Sequence, residues 1–126
     1  MEGWDLLIES TVIAFHLDWV TKTLHIDVNS PWGNKERKRI VATGIEELEV
    51  SEMRLYNIID RVNLFGAPDS LVNIPKWLPL EKKLSLIRDG SLNLMEIEPV
   101  CGASILVLAK LFRLEDMTES NAPNNP

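Results

Sequence analysis

The sequence predicts a mainly β protein: an antiparallel sheet, or a half-open barrel or sandwich, of about six to seven strands with one or two short helices. An α+β arrangement is the alternative. Three observations carry this expectation. Apolar and polar residues alternate with period two across residues 10–29 and again from Arg37 to Val50. The run Ile105–Ala109 is apolar throughout, so as a strand it needs cover on both faces, as in mid-sheet or between layers. Gly, Pro, Asn and Asp punctuate these runs at turn-like intervals.

Residues 10–29 read as a hairpin. Ile13, Phe15 and Leu17 alternate with Val12, Ala14 and His16, and after Asp18–Thr21 the residues Leu24, Ile26 and Val28 alternate with Thr23, His25 and Asp27. If Leu17 pairs with Leu24, both apolar sets share one face and His16 falls opposite His25 on the other. A slip of one residue would invert that assignment. Asn29–Asn34 is a loop on turn chemistry, with Pro31 fixing φ.

A third strand runs from about Arg37 to Val50. Val41, Thr43 and Ile45 share one parity and Leu48 and Val50 the other, so a bulge near Gly44 is needed for both sets to face the core. Ser51 can cap a helix in which Leu55, Ile58, Ile59 and Val62 recur at helical spacing, ended by Gly66 and Pro68. Ile58, Ile59 and Val62 also suit a strand. Leu71–Pro79, with three prolines nearby or within it, reads as an irregular connection or edge segment. Residues 80–89 fit either a short helix stopped at Gly90 or a strand pairing Lys83–Arg88 with Ser91–Ile97 across Asp89-Gly90. That dipeptide suits a type I′ turn, and the hairpin is preferred because the strand evidence on its far side, Ser91–Ile97, is strong. Ser91–Leu114 holds two strands joined through Pro99 and Gly102. The polar stretch 118–126 has nothing to bury, leaving 1–117 as one globular domain.

Composition narrows the function classes. A chain of 126 residues with 45% hydrophobic and 25% charged residues is ordinary for a globular domain. No apolar run reaches the roughly 18 residues of a membrane helix, and the acidic start MEGWDLLIES is unlike a basic secretory leader, which points to a cytoplasmic protein. The net charge of -6 disfavours general nucleic-acid affinity and suits a basic partner. Charge is unevenly placed: residues 44–70 carry Glu46, Glu47, Glu49, Glu52, Asp60 and Asp69 against Arg54 and Arg61, a local sum of -4. Residues 31–43 carry Lys35, Arg37, Lys38 and Arg39 against Glu36, a sum of +3.

Few residue groupings carry chemistry. His16, His25 and Asp27 are the one set suited to proton transfer or metal ligation, and an exposed hairpin face is the alternative explanation. The run Lys35–Arg39 is too short and too close to a strand entry to specify a nucleic-acid patch. The sole cysteine, Cys101, excludes an internal disulfide and reads as a partly buried small hydrophobe. Trp4, Trp19, Trp32 and Trp77 all fall in turns or near chain ends, where they either cover an open sheet or serve an interface. No phosphate-binding glycine loop, nucleophile elbow or CxxC motif occurs, so the expectation is a non-enzymatic protein without cofactor or metal. Glu46, Glu47, Glu49, Glu52 and Asp60 form the best candidate binding face for a cationic partner, with a solubilising rim as the alternative reading of the glutamates.

The segments Phe15-His16-Leu17-Asp18-Trp19, Leu24-His25-Ile26, Gly44-Ile45 with Leu48-Glu49-Val50, Asn57-Ile58-Ile59-Asp60, and Glu96-Ile97-Glu98-Pro99 with Gly102 follow one another in a recognisable order. Their succession of strands and turns resembles small β-rich bacterial immunity proteins of polymorphic-toxin and contact-dependent growth-inhibition systems. The resemblance implies a non-enzymatic inhibitor that binds one cognate protein toxin domain, often a basic nuclease, and occludes its active or substrate-binding surface. It assigns no role to any single residue. A small enzyme using His16, His25 and Asp27 and a subunit self-associating through a sheet edge are the two alternative functions.

Overall fold

The computed structural model describes residues 3–30, 37–66 and 74–117. Six antiparallel strands account for most of them: β1 Thr11–Asp18, β2 Thr23–Asn29, β3 Arg37–Ser51, β4 Ile58–Phe65, β5 Asn93–Cys101 and β6 Ser104–Met117. Their spatial order is β1-β2-β3-β6-β5-β4. Two three-stranded meanders, β1-β2-β3 and β4-β5-β6, are thus joined through the long β3–β6 ladder. The outer strands β1 and β4 meet only at Thr11 and Ile58, where the Val12 amide donates to the Asn57 carbonyl at 2.8 Å and the Ile59 amide to the Ser10 carbonyl at 2.9 Å. The strand order thus closes on itself through this one bridge, and the chain is mainly β and antiparallel with few short helices, as the sequence predicts. The expected loop at 31–34, the polar segment 118–126 and Trp32 lie outside the described residues.

The β1–β2 hairpin has the expected register, Leu17 opposite Leu24 and His16 opposite His25. One residue departs from expectation. A register shift between Val12 and Ala14 turns Ile13 outward, 44% exposed, and Val12 packs on the core in its place. The barrel interior is built from Leu24, Ile26, Val28, Ile40, Ala42, Ile45, Ile59, Met95, Ile97, Ile105, Val107 and Ala109, with Trp4 and Leu7 of a short 3-10 turn closing on it. Excluding these side chains from water, at about 25 cal/mol per Å² of apolar surface, is the dominant stabilisation.

The expected discontinuity at Gly44 is present and explains which β3 residues face inward. Gly44 adopts φ +69, and a Cβ there would fall 2.7 Å from the Lys110 side chain on β6. Both strands change phase at this point. Ile40 and Ala42 face the core before it and Ile45 after it, while β6 switches from Ala109 to Phe112. A second shift, between Ile45 and Glu47, then brings Leu48 and Val50 inward. Val41, expected to share a face with Ile45, is instead buried on the outer face between His25 and Arg113 in register.

Two expected elements are replaced. Residues 55–62 form no helix: Ser51 ends β3, Glu52 takes φ +60, and Ile58–Phe65 is strand β4, which places Ile59, Val62 and Leu64 against the interior. The β-branched residues that fitted both periods take the strand because β5 offers an edge for them. Conversely, 83–88 forms no hairpin with β5. Both edges of β5 are occupied, by β4 and β6, so Leu84–Arg88 folds as the five-residue helix α1, terminated by Gly90 at φ +87.

This helix has a clear task. Leu94 and Leu108 point away from the barrel interior, and Trp77, Leu80, Leu84, Ile87 and Leu92 cover them together with Phe65 and Leu106. The apolar run Ile105–Ala109 is thereby buried on both faces, as its composition requires.

Candidate functional site

The outer wall of the barrel divides into two halves with different charge. On the β1-β2-β3-β6 half, three cation–anion pairs form. Asp27, 6% exposed, accepts from Arg39 Nε at 2.7 Å and Nη2 at 3.1 Å, a two-point fork, and this hydrogen-bonded carboxylate raises the arginine's pKa. Arg113 pairs with Glu115 at 2.7 Å, and Lys38 with Asp116 at the barrel rim. His16 and His25 sit here too, side by side in register on the outer face. Asp27, their expected companion, is held by Arg39, so the three do not form a free acid–base or ligand set. Among the described residues, no group of three or more His, Cys, Asp or Glu could hold a metal.

The β3-β6-β5-β4 half is acidic. Because Leu48 and Val50 face inward, Glu47 and Glu49 face out; because Met95 and Ile97 face inward, Glu96 and Glu98 face out as well. Register aligns them in rows: Asn63, Glu96, Leu106 and Glu49 in one, with Phe65, Leu94, Leu108 and Glu47 in the row alongside. Glu96 and Glu49 therefore stand about 10 Å apart across Leu106. Asn63 Nδ2 donates to Glu96 Oε1 at 3.1 Å and to Glu98 Oε2 at 2.5 Å, holding two carboxylates beside one amide. The indole N–H of Trp77 donates to Glu49 Oε1 at 2.8 Å. Among the described residues no cationic side chain pairs within 4 Å of Glu47, Glu49, Glu96 or Glu98.

The five carboxylates singled out in the sequence are only partly brought together. Glu47 and Glu49 lie on this face. Glu46, the extra residue at the second β3 shift, pairs with Lys83 at 3.3 Å. Glu52 lies beyond the strand beside Arg54 at 3.9 Å, and Asp60, extra in the β4 register, lies beside Arg61 at 3.9 Å and three strand spacings from Glu49. Glu96 and Glu98, which alternation alone places on one strand face, join the site through strand order. Of the Lys35–Arg39 run, Lys38 and Arg39 are neutralised by Asp116 and Asp27, and residues 35 and 36 lie outside the described residues.

Cys101 is exposed rather than partly buried, because it ends β5 at the hairpin tip, its Sγ 3.9 Å from the Tyr56 carbonyl. Trp4 and Trp77 are covering residues, and Trp19 is 66% exposed in the β1–β2 turn. A cleft of about 200 Å³ lies between the N-terminal turn and β2 and β3, walled by Leu7, Glu9, Ser10, Val28 and Lys38. Among the described residues, no helix is long and apolar enough to cross a membrane. Comparison of the chain with protein-family models, with curated proteins and with solved structures finds no match.

Proposed function

We propose that the protein is a non-enzymatic binding protein of the immunity type, which neutralises a basic protein toxin domain inside the cell by covering its active or substrate-binding surface. The observation that supports this reading is the acidity of one barrel wall: Glu47, Glu49, Glu96 and Glu98 share a face, and among the described residues no cationic side chain lies within 4 Å of them although Arg61 stands opposite Glu98 in register, while Asp27 and Glu115 on the adjoining half are ion-paired. Carboxylates fixed on rigid strands attract a cationic surface over several ångströms, accelerate its docking and substitute for the phosphates that a nuclease would bind. Asn63 and Trp77 hold three of the four in place, which reduces the ordering cost of association.

The test is affinity purification of the full chain from its native host, followed by titration of the co-purifying polypeptide. A single basic protein at equal stoichiometry is expected. Glu96→Lys with Glu98→Lys should slow its association at low salt by about tenfold or more and flatten the salt dependence. An affinity and salt dependence unchanged by that reversal, and by Glu47→Lys with Glu49→Lys, would refute the assignment of this face.

A further inference from the structure

We infer that the adjoining tips of the β3–β4 and β5–β6 connections form an apolar anchor for a protein partner, one that presents an apolar cavity rimmed by Lys or Arg. This rests on the acidic wall being the docking face, and it adds where the partner is gripped. Met53, Leu55, Tyr56 and Val100 are 50%, 86%, 67% and 60% exposed. Such side chains normally face inward, and a group of them on one apex is a mark of an interaction site. Met and Tyr are also among the residues enriched in interface centres.

The apex is held rigidly from below. Asn57, 6% exposed, accepts from the Arg54 amide at 3.0 Å and from the Ala103 amide at 2.8 Å, and donates to the Arg54 carbonyl at 2.7 Å. One side chain thus ties both connections together. Gly102, at φ +90, lets them approach: a Cβ there would fall 2.4 Å from Asn57 Oδ1 and 2.6 Å from the Tyr56 carbonyl oxygen. Apolar side chains on a pre-set loop lose little freedom on binding, which distinguishes an anchor from a floppy exposed loop.

Charge selects the occupant. The apex runs directly into the acidic wall, since Cys101 pairs with Ile58, Pro99 with Ile59 and Glu98 with Arg61 in successive steps of the β4–β5 ladder. A second copy of a chain carrying -6 would bring two acidic walls together, and an anionic bilayer would repel the same wall. A cationic protein meets both the apolar tips and the carboxylates.

The probe is a phage-displayed random peptide library panned on the full chain, with affinities of the selected synthetic peptides measured at two salt concentrations. Enriched peptides should carry an apolar residue flanked by Lys or Arg. Leu55→Ser with Tyr56→Ser should weaken the best peptide by about tenfold or more, the loss expected when central contacts go, while leaving the melting temperature unchanged. Glu96→Gln with Glu98→Gln should weaken it less and reduce its salt dependence. Binding that responds to the glutamates alone overturns the anchor and leaves the acidic wall standing; binding that responds to the loop pair alone upholds the apolar grip but overturns its Lys- or Arg-rimmed occupant together with the wall. No enrichment, or peptides indifferent to the loop pair, overturns the anchor. So does a dimer in light scattering that the loop pair dissociates, which would place a second copy on the apex.

Discussion

Replacing Asn57 by alanine is the most direct test of how the loop apex is built. The substitution removes three hydrogen bonds of unequal value. The Ala103 amide belongs to a residue 4% exposed and has no route to water, so leaving it unpaired costs about 1–3 kcal/mol. The Arg54 amide and carbonyl belong to an exposed residue and can bind water instead, so their loss adds about 0.5–1 kcal/mol together. A loss of about 2–4 kcal/mol follows. With an unfolding entropy of about 2.1 cal/mol/K per residue, that corresponds to a fall of about 8–15 °C in Tm. Urea denaturation followed by circular dichroism measures it, and the slope m should stay constant because the exposed area hardly changes. Asn57→Asp keeps an oxygen for both amides but sets its second oxygen against the Arg54 carbonyl, so its stability should fall between the wild type and Asn57→Ala. A loss below 1 kcal/mol for alanine, or equal losses for the two variants, would refute the account of Asn57 as the tie between the connections.

Further outcomes are expected elsewhere. Gly102→Ala should cost at least about 3 kcal/mol, since it adds a backbone clash to an unfavourable positive φ, whereas Gly90→Ala, at φ +87 with nothing within 4 Å, should cost only about 1–2 kcal/mol; equal losses in denaturation would contradict this. Leu108→Ala and Trp77→Ala each open the layer outside β5 and β6 and should lose about 3–4 kcal/mol by the same assay. Asp18 is held below the usual carboxylate pKa by the Thr21 and Val20 amides, and Asp89 likewise by its hydrogen bonds with Ser91. Their folded values lie below the unfolded ones, so their stabilisation is present above about pH 4 and lost as pH falls through the folded values. Asp18→Asn with Asp89→Asn should therefore flatten the acid limb of a pH–stability profile and leave the limb above pH 7 unchanged.

Much of this architecture is legible in the residues, and the failures have a common origin. The β1–β2 register follows from uninterrupted alternation and a short turn, and the double burial of β6 follows from Ile105–Ala109. The misread segments are those whose local signals are satisfied by two answers. Ile58, Ile59 and Val62 fit a helix or a strand, and only the free edge of β5 decides between them. Asp89-Gly90 fits a hairpin or a helix stop, and only the occupation of that edge by β4 rules out the hairpin. The same long-range fact governs the acidic wall. Glu47 and Glu49 stand out in the sequence as a local cluster, but Glu96 and Glu98 reach them only through β6, and Asp60, close in sequence, is carried to the far side of β5. The parity of β3 was partly readable: Gly44 signals a change of phase, yet nothing local reveals that Lys110 changes phase with it.

The β3–β6 ladder also sets how the chain must fold. Its pairs run from Ser51–Ser104 to Arg37–Met117, so partners are separated by 53 to 80 residues along the chain. The β1–β2, β2–β3 and β5–β6 pairings close over short connections and β4–β5 over residues 66–92, but joining the two meanders requires a larger loop closure before any contact across the ladder repays it. Folding is then expected to be limited by the docking of two three-stranded halves, on a timescale of roughly milliseconds to seconds. A chain cut within the β3–β4 connection would leave those halves as separate fragments, each exposing the apolar face it shares with the other, and stable only in the other's company.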